Sequence, residues 1–198
     1  MRVSIQSEDT VFDNFFKITQ ARLQHELYTG QMSPVITRLN FERGDSVAAL
    51  VHDPATDLLY LVEQFRYPVY TKTKTEPKGG WLLELPGGMV ELDGHPENTM
   101  KRELQEEIGY SVQTIQEIGH FFPNPGGSSE RIYLFYAKVS PRQKTSLGGG
   151  LKGEGENIRT VEISRTEAFR KLAAGEIIDA KTLIALQWLQ LAGQTQTP

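Results

Sequence analysis

The chain has 198 residues, 38% apolar and 23% charged, with a formal net charge of −4, which suits one ordinary domain with at most a short accessory element and excludes a mostly disordered chain. A slightly acidic balance lacks the broad basic surface that DNA or long RNA requires, whereas a small anionic ligand needs only a few arginines or a metal. Cysteine is absent, so disulfides and thiolate metal sites are excluded and any metal must be held by oxygen or by the four histidines.

The first twenty residues carry Glu8, Asp9 and Asp13 without a long apolar run, so no signal peptide is expected. Residues 11–43 read as extended, with Tyr28-Thr29-Gly30-Gln31 as a turn between two strands. Phe15 and Phe16 fall in this segment, and on a strand their side chains would point oppositely. Residues 46–52 and 58–65 are apolar runs joined by Asp53-Pro54-Ala55-Thr56-Asp57, the pattern of a hairpin. Residues 71–80 are polar and basic and predict a mobile loop, followed by a short strand over 81–85. A helix is predicted over 96–108, with Pro96 suited to its first turn and Gly109 to its stop. Residues 131–139 are rich in β-formers and predict a strand. Residues 140–157 include five glycines and predict a flexible loop. Ser164 and Glu167 form a capping-box pattern ahead of a helix to Ala174, and Asp179 caps a last helix through Leu191, closed by Gly193. The apolar stretch 183–192 is too short for a membrane span and holds Gln187 and Gln190. Strands mixed with a few helices, without regular βαβ alternation, indicate an α+β fold. A cytoplasmic protein with neither nucleic acid nor membrane as partner is the expectation.

Chemistry concentrates in Gly87–Tyr110, GGMVELDGHPENTMKRELQEEIGY. Glu106 and Glu107 lie three and four positions after Glu103, so the three carboxylates share one sector of the helix. Like charges so placed repel, and a hard divalent cation would offset the repulsion, as Mg²⁺ does when substrate phosphates share its coordination. The bland alternative is a solvated acidic face. Two features oppose it. The cluster sits near the helix C-terminus, where the macrodipole disfavours negative charge, and a Pro86-Gly87-Gly88 turn precedes the helix and lets backbone approach a ligand closely. The histidines His25, His52, His95 and His120 are scattered without zinc-ligand spacing and carry no catalytic expectation.

This stretch resembles the Nudix box, glycine, five residues, glutamate, seven residues, then Arg-Glu-aliphatic-any-Glu-Glu-any-Gly-aliphatic. Gly88, Arg102, Glu103, Leu104, Glu106, Glu107 and Gly109 take their places, and Tyr110 replaces the closing aliphatic residue. Gly94 stands where the family has its first glutamate; Asp93 is one residue early, and Glu91 or Glu97 could serve, which spacing does not decide. Gly30-Gln31-Met32-Ser33, Phe41-Glu42-Arg43-Gly44, Val62-Glu63-Gln64-Phe65-Arg66, Leu82-Leu83-Glu84, Pro125 to Arg131 and Ile184 to Leu191 extend the likeness over most of the chain. Within the superfamily these segments resemble most the bacterial ADP-ribose pyrophosphatases.

The resemblance implies a Nudix α/β/α sandwich with a mixed sheet over residues 44–198, preceded by an N-terminal antiparallel β segment over 1–43 that serves a homodimer and touches substrate. It implies Mg²⁺, with Mn²⁺ as an alternative, held by Glu103, Glu106, Glu107 and the Gly87 carbonyl. It implies hydrolysis of ADP-ribose to AMP and ribose 5-phosphate, with Glu107 at the reacting centre and Glu154, or else Glu156, as the base. Arg38, Arg66, Phe15, Glu84, Met89 and Glu130 are the residues it assigns to substrate, Phe15 packing on adenine. Arg102 is expected to brace the loop rather than to react. The competing readings are a pyrophosphatase for GDP-mannose or another nucleotide sugar, and a non-catalytic Nudix domain that senses a nucleotide.

Overall fold

The computed structural model describes residues 1–151, 153 and 155–194. Their backbone forms two compact units, one of Met1–Asp45 with Phe122–Arg131, the other of Ser46–Phe121 with Ile132–Pro198.

The first unit is a three-stranded antiparallel sheet of β1 (Val3–Asp13), β2 (Lys17–His25) and β3 (Ile36–Glu42), in that order. The extended reading was sound, but pairing begins at Val3 rather than near residue 11. The Tyr28–Gln31 turn is present, with the Gly30 N–H donating to the Leu27 carbonyl at 2.9 Å and Gly30 at φ 82°. Phe15 and Phe16 are not on a strand. They occupy the β1–β2 turn, which Asn14 builds by accepting the Phe15 N–H on its side-chain oxygen at 2.8 Å. Their rings therefore meet edge to face at 4.5 Å instead of pointing apart. The 122–131 segment joins this unit through the Ser129 hydroxyl on Glu42 and a fork from Arg131 to Asp45.

The second unit is a mixed sheet in the order β10-β5-β4-β9-β8, formed by β10 (Arg159–Ser164), β5 (Leu58–Phe65), β4 (Ser46–Asp53), β9 (Ile132–Lys138) and β8 (Gln116–Phe121). Two short strands, β6 (Trp81–Glu84) and β7 (Gly87–Met89), pair with β5 and β4. β4 is buried at all eight positions and runs parallel to β9, the one parallel pair among these strands. Helices cover both faces. α2 (Pro96–Ile108) sets Met100, Leu104 and Ile108 among Val47, Val51, Val62 and Phe135. On the other face α3 (Arg165–Ala173) and α4 (Ala180–Gln194) set Ala168, Ala185, Leu186 and Leu189 among Leu50, Leu59, Leu61 and Leu134. Alternate residues of each strand thus feed two separate cores, which is the expected sandwich.

Local signals held where they had a mechanism. Gly109 adopts the left-handed conformation at φ 78° and its N–H returns to the α2 carbonyls. Ser164 accepts the Glu167 N–H, although the Glu167 carboxylate turns to Arg170 instead of completing a capping box. Asp179 accepts the Thr182 N–H and caps α4. Three readings change. The start of the 71–80 loop is the end of a helix, α1 (Tyr67–Thr73), begun by Pro68 in its first turn. The 140–157 loop opens with a 3-10 turn over Pro141–Gln143, capped by Ser140. Gly193 does not stop the last helix, which continues to Gln194. No helix among the described residues is long and apolar enough to cross a membrane.

Candidate functional site

The site grows from three pieces of the second unit: the turn between β6 and β7, the last two turns of α2, and the glycine-rich loop over 144–158. The turn is fixed to β4, since the Ala49 N–H donates to the Pro86 carbonyl at 3.0 Å and Gly87 and Gly88 pair with Ala48 and Val47. The Gly87 N–H donates to the Glu107 carboxylate at 2.9 Å. A Cβ on Gly88 would collide with the Glu103 carboxylate, so the missing side chain is what lets backbone and acid stand together.

The α2 acids differ sharply in surroundings. Glu103 is 8% exposed and Glu107 1%, whereas the Glu106 side chain keeps 23%. Burial pushes Glu103 up to about 7, against the pull of the Arg102 guanidinium, and pushes Glu107 up to about 8, against the Gly87 N–H. Arg102 donates to Glu106 at 2.6 Å and to Glu103 at 2.9 Å, and lies 3.6 Å from Glu91. It therefore grips the carboxylates of its own helix and one loop carboxylate, as a rigid fork can. Of the two stand-ins for the box glutamate, Glu91 reaches Arg102, and Glu97 instead pairs with Lys101 at 2.7 Å.

The glycine-rich loop docks on the end of α2 instead of swinging free. The Gly149 and Gly150 N–H groups donate to the Glu107 and Glu106 carbonyls at 2.9 and 3.1 Å, and Gly148 leaves no room for a Cβ against the Glu107 carbonyl. Glu156 accepts the Leu151 N–H at 2.8 Å, and its charge helps to raise Glu103 and Glu107. Glu154, the other expected base, lies outside the described residues.

Arg66, Glu84 and Met89 also belong to the second unit. The Arg66 Nε donates to Glu84 at 2.7 Å, and Glu84, 1% exposed, also receives the Lys181 ammonium at 2.5 Å. Met89 ends β7 and is 38% exposed. Phe15, Arg38 and Glu130 belong to the first unit. There Phe15 is exposed, Arg38 donates to the neighbouring Thr37 carbonyl, and Glu130 lies 3.6 Å from Arg43. Arg43 also stands over the Phe16 ring at 5.7 Å, and Phe16 packs edge to face on Phe41. Sequence reasoning missed Arg43 and Lys181. Lys181 had a signal: a cation in the first turn of a helix opposes the macrodipole and calls for a nearby anion.

The donor set suits a hard cation by chemistry. It is all oxygen, two of its carboxylates are withdrawn from water, and Glu107 accepts the Gly87 N–H, with the Arg66 guanidinium close enough to feel its charge. Among the described residues, no three acids or histidines already converge on one cation-sized point. The cause is local: Arg102 folds Glu103 and Glu106 back onto itself.

A family model described as NUDIX domain matches residues 42–186. The chain belongs to the NUDIX family. Its relatives include the ADP-ribose pyrophosphatase of Escherichia coli (strain K12), 36% identical over 97% of this chain and 90% of that protein. The ADP-ribose pyrophosphatase of Haemophilus influenzae is 34% identical over 96% of this chain and 86% of that one. A GDP-mannose pyrophosphatase of Yersinia enterocolitica is 35% identical over 77% of each chain. A crystal structure of an ADP compounds hydrolase matches with a TM-score of 0.72 over 100% of this chain and 98% of its own, at 19% identity, a likeness of fold. The Nudix resemblance and the sandwich expected from it are both borne out, and with pyrophosphatases matching nearly the whole chain, this Nudix member is a pyrophosphohydrolase.

Proposed function

We propose that this Nudix protein hydrolyses the diphosphate bond of ADP-ribose to AMP and ribose 5-phosphate, using Mg²⁺ or Mn²⁺, as a cytoplasmic homodimer. The observation that carries the reading is the pair of buried acids, Glu103 and Glu107, pressed against the Gly87-Gly88 backbone. It is supported by 36% identity over 97% of the chain to a protein named for that activity.

In this reading Glu103, Glu106, Glu107 and the Gly87 carbonyl hold the metal, which supplies charge neutralisation for the diphosphate and acidifies a bound water. Glu106 must leave Arg102 to take part, and a second acidic partner for Arg102 in Glu91 makes that exchange cheap. Glu154 or Glu156 takes the proton of the attacking water, and Glu156 already sits close enough to Glu103 and Glu107 to act on their charge. Arg66 offers a guanidinium to the phosphates, and Glu84 orients it. Phe15 and Arg38 with Glu130 supply a ring, a cation and an acid for the nucleoside, and Met89 an apolar contact. The sheet of the first unit leaves Val3, Ile5, Val11 and Phe12 exposed on β1, a surface suited to a second copy of the chain.

The experiment is turnover of a panel of nucleoside diphosphate derivatives, with and without Mg²⁺ or Mn²⁺. ADP-ribose should lead the panel, with AMP and ribose 5-phosphate as products in equal amounts. GDP-mannose in the lead would favour the second reading, which rests on the 35% identity over 77% of the chain to a GDP-mannose pyrophosphatase. Failure on all substrates, with nucleotide binding kept, would leave a sensor. Glu107→Gln separates enzyme from sensor, because turnover should fall by about 10³-fold or more while nucleotide binding persists.

A further inference from the structure

We propose that Lys181 is a positioning residue for Arg66: by occupying one oxygen of Glu84, it fixes which edge of the Arg66 guanidinium remains open to substrate phosphate. The inference rests on the diphosphatase reading and deepens its account of phosphate recognition.

Glu84 is a buried carboxylate whose two oxygens serve two different cations. Oε1 accepts from Arg66 Nε at 2.7 Å and Oε2 accepts from Lys181 Nζ at 2.5 Å. An arginine beside a free carboxylate ordinarily takes both oxygens in a two-pronged fork. Here the second oxygen is taken, so Glu84 engages Nε and leaves the two Nη nitrogens out of the pair. Among the described residues, Glu84 is also the one carboxylate in ion-pair range of Arg66. The Arg66 side chain is 42% exposed although its partner Glu84 keeps only 2%, so the guanidinium is anchored through Nε while part of the side chain still meets solvent, and Glu107 and Asp179 act on its charge from further off.

Lys181 is itself locked. Its ammonium also donates to Asp179 at 2.9 Å, and Asp179 uses its other oxygen for the Thr182 N–H and hydroxyl at 3.0 and 2.6 Å. The Thr182 oxygen accepts the Leu85 N–H at 2.9 Å. The first turn of α4 is thereby tied to Glu84 and Leu85, two residues before the Gly87 that holds Glu107. A lysine at this unfavourable end of a helix, four-fifths withdrawn from water, is accounted for by this single carboxylate pair.

Without Lys181, the vacated Oε2 of a carboxylate this deeply buried needs another donor, and the nearest guanidinium is already bound through Nε. Rotation into the fork would turn an Nη toward Glu84 and away from phosphate. The loss falls on binding that ground and transition states share, so it should appear in KM rather than kcat.

Lys181→Met should raise KM about tenfold with kcat changed less than about threefold, and should weaken the calorimetric affinity for ADP by a similar factor. Lys181→Gln, whose amide can still donate to Oε2 without charge, should restore most of KM. In an Arg66→Ala background, Lys181→Met should have no further effect on KM. A merely structural lysine predicts the opposite pattern: a lower active fraction, unchanged KM, and an effect that survives in the Arg66→Ala background. If Lys181→Met does not fold, Asp179→Asn keeps the α4 cap and loosens only the lysine, and should raise KM by about threefold. Wild-type turnover with KM and ADP affinity unmoved by these variants overturns this inference alone. A wild type that neither turns over any diphosphate derivative nor binds ADP overturns the functional reading with it.

Discussion

Adding one methyl at Gly88 or at Gly87 should have opposite consequences, though the two glycines adjoin on β7. Neither has a positive φ, so alanine costs no backbone strain at either. At Gly88 the three atoms nearest the new Cβ all belong to the Glu103 carboxylate, with Oε2 at 2.9 Å and Oε1 and Cδ closer still. That is the mobile end of a side chain, which must retreat by about 1 Å to reach ordinary contact distance. At Gly87 the Cβ would overlap the Val47 carbonyl and lie 3.0 Å from the Ala48 Cα, both backbone of the buried central strand β4. Gly88→Ala should therefore change stability by less than about 1 kcal/mol, the smaller freedom of the unfolded chain offsetting the strain. Gly87→Ala should lose about 1–3 kcal/mol by overpacking.

Function should follow the reverse order. A ligand-bearing carboxylate displaced by about 1 Å should weaken Mg²⁺ activation by about 10–100-fold. The assay is urea denaturation of each variant beside a Mg²⁺ titration of ADP-ribose turnover. If Gly88→Ala kept the wild-type Mg²⁺ midpoint, Glu103 would not be a ligand and the reasoning would fail. Equal stability losses in the two variants would refute the steric part of it.

Other consequences can be measured separately. Glu103 and Glu107 hold protons up to about pH 7 and 8 in the metal-free fold, against an ordinary 4.5. Between those values the folded chain binds more protons than the unfolded one, so metal-free stability should fall as pH rises from about 5 to 8. Mg²⁺ should raise the melting temperature more at pH 8 than at pH 5.5; a flat metal-free profile would count against the buried-acid account. Tyr136→Phe removes the hydroxyl 2.7 Å from the buried His52 Nδ1, and should cost about 1–3 kcal/mol in urea denaturation. Ser164→Ala removes the acceptor of the Glu167 N–H and should cost about 1 kcal/mol by the same method.

What could be read from sequence was whatever local chemistry decides. Pro96 and Gly109 bracket α2, Asp179 caps α4, and the 3.6-residue period puts Glu103, Glu106 and Glu107 on one sector before any fold is known. Strands β8 and β10 escaped because their residues mix polar and apolar without clean alternation; β10 exists because it pairs along β5 from Arg159 to Ser164. Phe15 and Phe16 were misread because aromatic residues favour strands, and Asn14 overrode that preference with one hydrogen bond. The glycines of 148–150 suggested freedom, yet the Gly149 and Gly150 N–H groups are spent on α2 and Gly148 packs against the Glu107 carbonyl, because small residues permit close docking as readily as they permit motion. Lys181 and Glu84 are 97 positions apart, and no local rule could pair them.

The end of α2 shows how a helix tolerates charges its dipole disfavours. Its terminal carbonyls are taken up by the Gly149 and Gly150 N–H groups and by the Gly109 turn, so backbone satisfaction does not depend on the acids. Arg102 neutralises the two acids nearest it and draws on Glu91 in place of the glutamate that Gly94 replaces. Those contacts account for Glu103 and Glu106. They do not reach Glu107, which is the most deeply buried of the three and accepts one backbone N–H, with Glu84, Glu103 and Glu156 adding negative charge around it and the Arg66 guanidinium partly offsetting them. A fold selected for stability alone would place leucine or methionine there, as it does at Leu104 one turn and Met100 two turns before it. In the metal-free fold a proton sustains the acid up to about pH 8, and under the proposed reading a bound cation would take that proton's place.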